Sequence, residues 1–184
     1  IQLLAKKKVL DGNNIFLTGA AGTGKSFTTH ELVKSLRQVG KKVALTALTG
    51  PAAVLIGGKT LHSWSGIGYG DKDADYYVRE IGMNNKRRRI RKRWLETDAI
   101  VIDEVSMMSI DLLEKLDKIG KKIRENESIP FGGIQIILVG DFFQLGPVSK
   151  NKNMNSPQLF NSNIWKQTVQ DNVIELETIY RQRD

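Results

Sequence analysis

The stretch of sequence that decides the fold is Gly19-Ala20-Ala21-Gly22-Thr23-Gly24-Lys25-Ser26. It fits the pattern G-x-x-x-x-G-K-[ST], in which glycines let the backbone turn tightly enough for several N–H groups to face one phosphate. An apolar run at residues 15–17 leads into the loop as a predicted strand. Behind the loop, a helix ending near Gly40 is predicted by apolar residues at helical spacing, namely Phe27, Leu32, Val33, Leu36 and Val39. Strand, glycine loop and helix in this order predict a nucleotide-binding site.

The polar groups of this loop have distinct roles in holding a nucleotide. Lys25 is placed to reach the β- and γ-phosphates, and the hydroxyl of Ser26 is placed to ligate Mg²⁺. The positive end of the helix dipole also favours a phosphate here. The residues predicted to bind the nucleotide are Gly19, Ala21, Gly22, Thr23, Gly24, Lys25 and Ser26. ATP and Mg²⁺ are the expected cofactors, and a glycine turn that merely begins a helix is the alternative.

The composition is that of a globular domain with a basic surface. A length of 184 residues fits one domain, and 40% apolar with 26% charged residues argues against disorder. The 28 Lys and Arg against 20 Asp and Glu give a net charge of +8, which suggests a polyanionic partner such as nucleic acid. No apolar run approaches the ~20 residues that span a bilayer, and without cysteine there is no disulfide. We expect an intracellular protein that does not contact a membrane.

Apolar runs along the chain predict an α/β fold with a central, mainly parallel sheet flanked by helices. The predicted strands are residues 14–18, 43–47, 99–102, 135–139 and 174–176. Besides the helix behind the loop, helices are predicted at residues 2–10, at 52–56 and from Ser109 onward. Residues 59–64 are expected on loop-like backbone. Residues 65–80 lack clear periodicity and are expected to form a mobile, partly ordered surface segment.

Two adjacent carboxylates, Asp103 and Glu104, follow the apolar strand at 99–102. In a chain with a phosphate loop, Asp103 would hold Mg²⁺ through its water shell, and Glu104 would orient and deprotonate the attacking water. Strand alternation would turn the two side chains in different directions, one toward the metal and one toward the water. Gln144 follows the next strand, and its amide can donate to a γ-phosphate oxygen while accepting from the lytic water. We therefore predict catalytic roles for Lys25 and these three residues.

The densest run of charge is Lys86-Arg87-Arg88-Arg89-Ile90-Arg91-Lys92-Arg93. It could contact phosphates, act as a nuclear signal, or form the solvated face of a helix. Ile90 and Trp94 stand four residues apart and would lie on one face of such a helix. The sequence leaves these three interpretations open.

With these blocks in this order, the chain resembles the petite-integration-frequency (PIF) family of DNA helicases in superfamily 1, relatives of the RecD subunit. The resemblance covers nearly the whole chain. Its motifs are the phosphate loop, the segments at 49–53 and 57–64, Asp103-Glu104-Val105-Ser106-Met107, Gly140-Asp141-Phe142-Phe143-Gln144-Leu145 and Tyr180-Arg181-Gln182. It implies a RecA-like fold and ATP-driven movement along single-stranded DNA in the 5′-to-3′ direction, displacing duplex or G-quadruplex DNA. Roles in DNA repair, recombination and telomere maintenance are implied with it.

The resemblance also implies residue roles that the patterns alone do not give. Gln2 falls where the family places a glutamine that reads the adenine edge, and Arg181 matches an arginine that reaches the γ-phosphate. The residues implied to line the DNA channel, by backbone amides, polar contacts and stacking, are Thr49, Gly50, Pro51, Lys59, His62 and Trp64. The chain departs from the family at Gly146-Pro147, where two prolines are usual, and at Trp64, where phenylalanine is common.

The resemblance further implies that residues 1–184 are the first RecA-like motor domain and that the second is absent from this chain. Translocation needs two domains that close on ATP and reopen after hydrolysis, so we expect this chain alone to bind nucleotide and DNA weakly. The implied partner within the same polypeptide is the second domain. A monomer is expected, and its compartment would be the nucleus or mitochondrion if the source is a eukaryote. A phosphate-loop ATPase or kinase that does not act on DNA, and a nucleic-acid-binding module with an idle loop, are the alternatives.

Overall fold

A six-stranded sheet, parallel at every described pairing, forms the centre of the fold. The computed structural model describes residues 1–141 and 159–177. The strands are β1 (Ile15–Thr18), β2 (Val43–Ala47), β3 (Lys59–Thr60), β4 (Ala99–Asp103), β5 (Gln135–Gly140) and β6 (Val173–Glu175). Their order is β3-β2-β4-β5-β1-β6, so β5 lies between the strand before the phosphate loop and the strand that ends at Asp103. The predicted parallel α/β architecture is confirmed.

Helices connect the strands and cover both faces of the sheet. The α-helices are α1 (Gln2–Leu10), α2 (Lys25–Gln38), α3 (Gly50–Leu55), α4 (Leu61–Ser65), α5 (Ala74–Met83), α6 (Arg88–Glu96), α7 (Ile110–Ile123) and α8 (Asn163–Thr168). Short 3₁₀ turns lie at Asn85–Arg87, Val105–Met107, Pro130–Gly133 and Leu159–Asn161. Within residues 1–141 and 159–177, no helix combines the length and the apolar character needed to cross a membrane.

Strand alternation divides the apolar side chains between two cores. Ile15 and Leu17 of β1 pack with α1 and α2 on one face of the sheet. Phe16 points to the other face, where its ring meets the edge of Trp165 at a centroid distance of 4.8 Å. Because β4 and β5 are buried on both faces, residues 99–102 and 136–139 are apolar without interruption, as is usual for parallel sheets.

The apolar face of α2 differs from the predicted one at both ends. Phe27 is 63% exposed and Val39 is also exposed, whereas Leu32, Val33 and Leu36 are buried as predicted. The first turn instead directs Thr28 and Thr29 into the core. These threonines stand four residues before Leu32 and Val33, so they lie on the same face of the helix, and Phe27 is rotated out of it.

The prediction of a partly ordered segment at residues 65–80 was wrong over its second half. Helix α5 begins after Asp73, whose carboxylate caps it by accepting the N–H of Tyr76 at 2.7 Å. Tyr77 and Ile81 stand four residues apart and are buried against α7 and the sheet core. The tyrosine supplies an apolar face at a position that composition alone had assigned to the surface.

The basic run forms a helix that is docked on the protein, which is one of the three interpretations left open. Trp94 of α6 is fully buried, and its indole N–H donates to the Ser65 carbonyl at 3.0 Å. Ile90 packs beside it on the main core. Arg87, just before α6, donates to the Gly66 carbonyl at 2.6 Å. The rest of the helix keeps an exposed basic face that includes Arg88.

Candidate active site

The phosphate loop follows β1 directly and leads into α2. Gly24 precedes the helix with φ +87°, a left-handed conformation that glycine adopts without strain. Gly19 lies so close to the end of β6 that an added Cβ would come within 2.6 Å of the Leu176 carbonyl oxygen. Inside the loop, the Thr23 hydroxyl donates to the Ala20 carbonyl at 2.7 Å. These contacts hold the loop in a tight turn at the N-terminus of α2.

The side chain of Lys25 reaches back across the loop. Its ammonium group donates to the carbonyl oxygens of Gly19 at 2.5 Å and Ala20 at 3.0 Å. The side chain of Ser26 is exposed beside it, and the Ser26 carbonyl lies 2.7 Å from Nδ1 of His30. The loop therefore presents one cation and one hydroxyl at the start of the helix, as the sequence pattern predicted.

Asp103 stands at the carboxyl end of β4, on the same edge of the sheet as the loop. Its carboxylate accepts the N–H of Glu104 at 2.8 Å. Burial raises the pKa of the Asp103 carboxyl, and the hydrogen bond from Glu104 together with the nearby charges of Lys25 and His30 offsets part of that rise. Asp103 is thus a half-buried carboxylate within electrostatic reach of the loop lysine.

Glu104 does not continue the strand, so the reason given for the separation of the two carboxylates was wrong. Its backbone has φ +57°, in the left-handed region, and it begins the turn into Val105–Met107. Val105 is buried, close to the end of β5 at Gly140. Because the chain turns away at residue 104, the Glu104 side chain is exposed while Asp103 remains half-buried.

Replacing Asp103 with asparagine is expected to stabilise the protein at neutral pH in the absence of nucleotide. The folded state holds the Asp103 proton more tightly than the unfolded chain does, so ionised Asp103 lowers the free energy of unfolding at pH values above its folded-state pKa. The advantage of the variant should shrink as the pH falls toward the ordinary aspartate pKa of about 3.9. Thermal unfolding across a pH series measures it, with exposed Asp171→Asn as the control. A variant less stable than wild type at pH 7 would contradict this account.

Of three other residues predicted for the nucleotide site, the structure describes only Gln2. Gln2 begins α1, and the last turn of that helix lies at the amino end of β5, where the Val9 carbonyl accepts from the Gln135 amide at 2.8 Å. Gln2 itself is half-buried at the start of the helix. Gln144 and Arg181 lie outside the described residues.

Most of the residues predicted to contact DNA lie on or next to two short helices, and Lys59 lies on strand β3. Thr49 caps α3 by accepting the N–H of Ala52 at 3.3 Å, and Gly50 and Pro51 form the first turn of that helix. His62 lies on α4, which Thr60 caps in the same way. Helix α3 was predicted at residues 52–56, whereas α4 was missed because its five residues are too few to display a period.

Trp64 does not provide the stacking surface that the resemblance implied. It is only 5% exposed, and its ring packs against Trp94 at a centroid distance of 4.8 Å. The indole lines the inner wall of a cavity of about 440 Å³ along the outer edge of β2, which Lys59 also lines. Lys59 and Trp64 are therefore grouped together, away from Thr49 and His62.

A second cavity, of about 320 Å³, brings Thr49 and His62 together beyond the carboxyl ends of β2 and β4. Burial lowers the pKa of His62, and the positive charge of Lys115 lowers it further, so the imidazole is neutral at pH 7. Tyr69 and Met107 also line this cavity, and neither was predicted to contact DNA. The one available hint was the Gly68-Tyr69-Gly70 sequence, which places an aromatic ring on a tight turn.

Comparison with known proteins gives consistent matches. The family model described as PIF1-like helicase matches residues 2–184. The ATP-dependent DNA helicase PIF1 of Saccharomyces cerevisiae is 47% identical over 94% of this chain, which covers 20% of that protein. The crystal structure of Pif1 helicase from Candida albicans is 44% identical, with a TM-score of 0.88, over 98% of this chain and 40% of that one.

A third match is a structure with bound ligands. Pif1 helicase from Bacteroides, in complex with ADP-AlF3 and single-stranded DNA, is 32% identical, with a TM-score of 0.74. The alignment covers all of this chain and 44% of the Bacteroides chain. The family match extends over nearly every residue, and the described part of the chain has the same fold as these helicases. This chain belongs to the PIF1-like helicase family.

Proposed function

We propose that this chain is the first RecA-like motor domain of an ATP-dependent 5′-to-3′ DNA helicase. The observation that supports the proposal is that two candidate sites lie at the same edge of the sheet. The phosphate loop follows β1 and the Asp103-Glu104 pair follows β4, and Thr49 and His62 line a cavity beyond the ends of neighbouring strands. An ATP site and a nucleic-acid site would thus share one rigid sheet, as the coupling of hydrolysis to movement requires.

ATP would be held by the backbone N–H groups of residues 19–24 and by Lys25, with Gln2 at the adenine. The donors fit a magnesium ion, because Ser26 and Asp103 offer a hydroxyl and a carboxylate oxygen, both hard ligands. Burial leaves the Asp103 carboxylate short of compensating charge, which a cation would supply. In the part of the chain that the structure describes, no three carboxylate, imidazole or thiol side chains cluster. Mg²⁺ needs no such cluster, since it binds one or two carboxylates together with substrate phosphates.

Hydrolysis would use the chain's own acids and amides around the γ-phosphate. Glu104, turned out of β4 and exposed, would take the proton of the attacking water. Gln144 and Arg181 are proposed to position that water and to stabilise charge on the γ-phosphate, and these two roles rest on the resemblance. Bound Mg²⁺ would neutralise charge that develops on the phosphates.

Movement along DNA would require a second motor domain in the same polypeptide, because one domain has no partner against which to open and close. The chain spans only 20% of the Saccharomyces cerevisiae relative, which leaves ample length for such a domain in a protein of that size. We propose single-stranded DNA as the track and duplex or G-quadruplex DNA as the structure displaced. We also propose that the protein acts as a monomer inside the cell and does not contact a membrane.

Steady-state ATP hydrolysis, measured with and without a single-stranded oligonucleotide, tests this function. The full-length polypeptide should be strongly stimulated by DNA, and the chain alone should be only weakly active. DNA affinity should fall with salt at a slope of about −0.7 per neutralised phosphate, as it does for single strands. Removing Mg²⁺ with a chelator is the control, and it should stop turnover without abolishing DNA binding.

The two alternative functions give different results in the same experiment. A phosphate-loop ATPase that does not act on DNA would hydrolyse ATP equally with and without the oligonucleotide. A nucleic-acid-binding module with an idle loop would bind DNA with the expected salt dependence and would release no phosphate. Either outcome would reject the motor domain.

A further inference from the structure

Tyr69 combines complete exposure with a position at the rim of a cavity. Its side chain is 99% exposed, and the described residues give it no hydrogen bond. Single exposed aromatic residues are ordinary on protein surfaces. Tyr69 differs from that background because it lines the cavity that also contains Thr49 and His62.

The turn that carries Tyr69 is fixed to the protein on both sides. Ile67 is buried, and its carbonyl accepts the N–H of Gly70 at 2.9 Å. The ammonium of Lys115, a largely buried side chain on α7, donates to the Gly70 carbonyl at 2.7 Å. On the other side, Arg87 donates to the Gly66 carbonyl. Because the backbone is already ordered, a ligand that stacks on the ring would immobilise only two side-chain torsions.

The walls of the cavity suit a flat ligand with apolar faces and a polar edge. Leu48 and Met107 supply apolar surface, and the neutral imidazole of His62 can donate from one ring nitrogen and accept at the other. The Thr49 side chain adds an oxygen, although that oxygen also caps α3. A volume of about 320 Å³ is at the lower end of the range typical of small-ligand sites. It would admit one base but not a stack of several.

We propose that this cavity receives a single unstacked nucleobase of the DNA track, with Tyr69 stacking on the face of the base and His62 contacting its edge. The inference rests on the proposed function, since it names how one nucleotide of the single strand is held. Stacking on a base is assigned to Tyr69 and not to Trp64, because the Trp64 ring is buried in the core. The contact tolerates different bases because every base has a π face.

Photocrosslinking with the full-length protein locates the contact directly. An oligonucleotide carrying 5-iodouracil at successive positions is irradiated in the complex, and the crosslinked peptide is identified by mass spectrometry. We expect the crosslink at Tyr69 from one position of the strand. A crosslink only to residues far from this cavity would overturn the assignment.

Binding measurements then test whether the ring stacks on a base. Tyr69→Ala should weaken oligo-dT binding by about tenfold, since loss of one base–aromatic stack has an effect of this order. Tyr69→Phe should bind as wild type does, because it keeps the ring and loses only the hydroxyl. Tyr76→Ala, at a partly exposed tyrosine on α5 outside the cavity, is the matched control and should also bind normally. Thermal unfolding of each variant checks that the fold is retained.

An abasic scan makes the test specific to the base. At the strand position that occupies the cavity, removal of the base should abolish the difference between wild type and Tyr69→Ala. A difference that persists at every abasic position, or an alanine variant that binds like wild type, would reject stacking by Tyr69 while leaving the proposed function intact. Failure of the wild-type protein to bind any single strand would instead reject the proposed function.

Discussion

Replacing Lys25 with alanine is expected to lower DNA-stimulated ATP turnover by at least about 100-fold, the usual effect of removing one donor that stabilises transition-state charge. The Lys25 ammonium lies over the phosphate loop, held by the carbonyl oxygens of Gly19 and Ala20. A bound γ-phosphate would attract it more strongly than these neutral oxygens do, because the interaction would then join two opposite charges. Without the lysine, negative charge on the transferred phosphoryl group would lose this partner. Steady-state phosphate release by the full-length protein measures the change.

A lysine elsewhere on the same helix controls for the change in net charge. Lys34→Ala, on the exposed side of α2, should leave turnover close to that of wild type. Turnover by Lys25→Ala within a few-fold of wild type would mean that the loop does not hold the reacting phosphate. That result would reject the catalytic role assigned to Lys25.

Replacing Glu104 with glutamine is expected to lower turnover by about 10²- to 10⁴-fold, the range of general base contributions, while nucleotide binding is retained. Glutamine keeps the shape of the side chain and its carbonyl oxygen, but it does not take a proton from water. Residue 104 is exposed on a left-handed turn, so this substitution removes no contact in the core. Fluorescence titration with a labelled ATP analogue measures binding, and phosphate release measures turnover.

Measuring nucleotide binding separately from ATP turnover distinguishes the role of Glu104 from that of Lys25. Lys25→Ala should weaken both quantities, whereas Glu104→Gln should affect only hydrolysis. Glu114→Gln, at an exposed carboxylate on α7, is the matched control and should change neither. Loss of nucleotide binding in Glu104→Gln would place this carboxylate in the binding site itself and would contradict its assignment as a base.

The phosphate loop and the ends of the strands could be predicted from the sequence because their patterns are local. Gly24 and Lys25 are diagnostic at fixed spacing, and the uninterrupted apolar run of β4 points directly to Asp103. The left-handed backbone of Glu104 has no such signature, since glutamate does not favour positive φ. It results from the turn that the buried Val105 and the end of β5 impose on the chain.

The arrangement of the residues proposed to contact DNA could be predicted only in part because their side chains depend on distant partners. Trp64 is buried because Trp94, thirty positions away, packs on it, and no local pattern contains that contact. The exposure of Tyr69 likewise depends on Lys115 of α7 and on Arg87, which hold its turn in place. The roles of Gln144 and Arg181 stay predictions, since both residues lie outside the described part of the chain.

The pairing of β6 with β1 has a consequence for synthesis of the protein. β1 lies near the start of the chain, and its outer neighbour is made of residues 173–175. The Thr18 carbonyl accepts the N–H of Leu176 at 2.8 Å, and Gly19 packs against the same residue. During translation the outer edge of β1 therefore stays open until almost the entire described chain has left the ribosome, and an open strand edge invites mispairing. The phosphate loop is synthesised well before β6, so its supporting contacts are among the last of the described contacts to form.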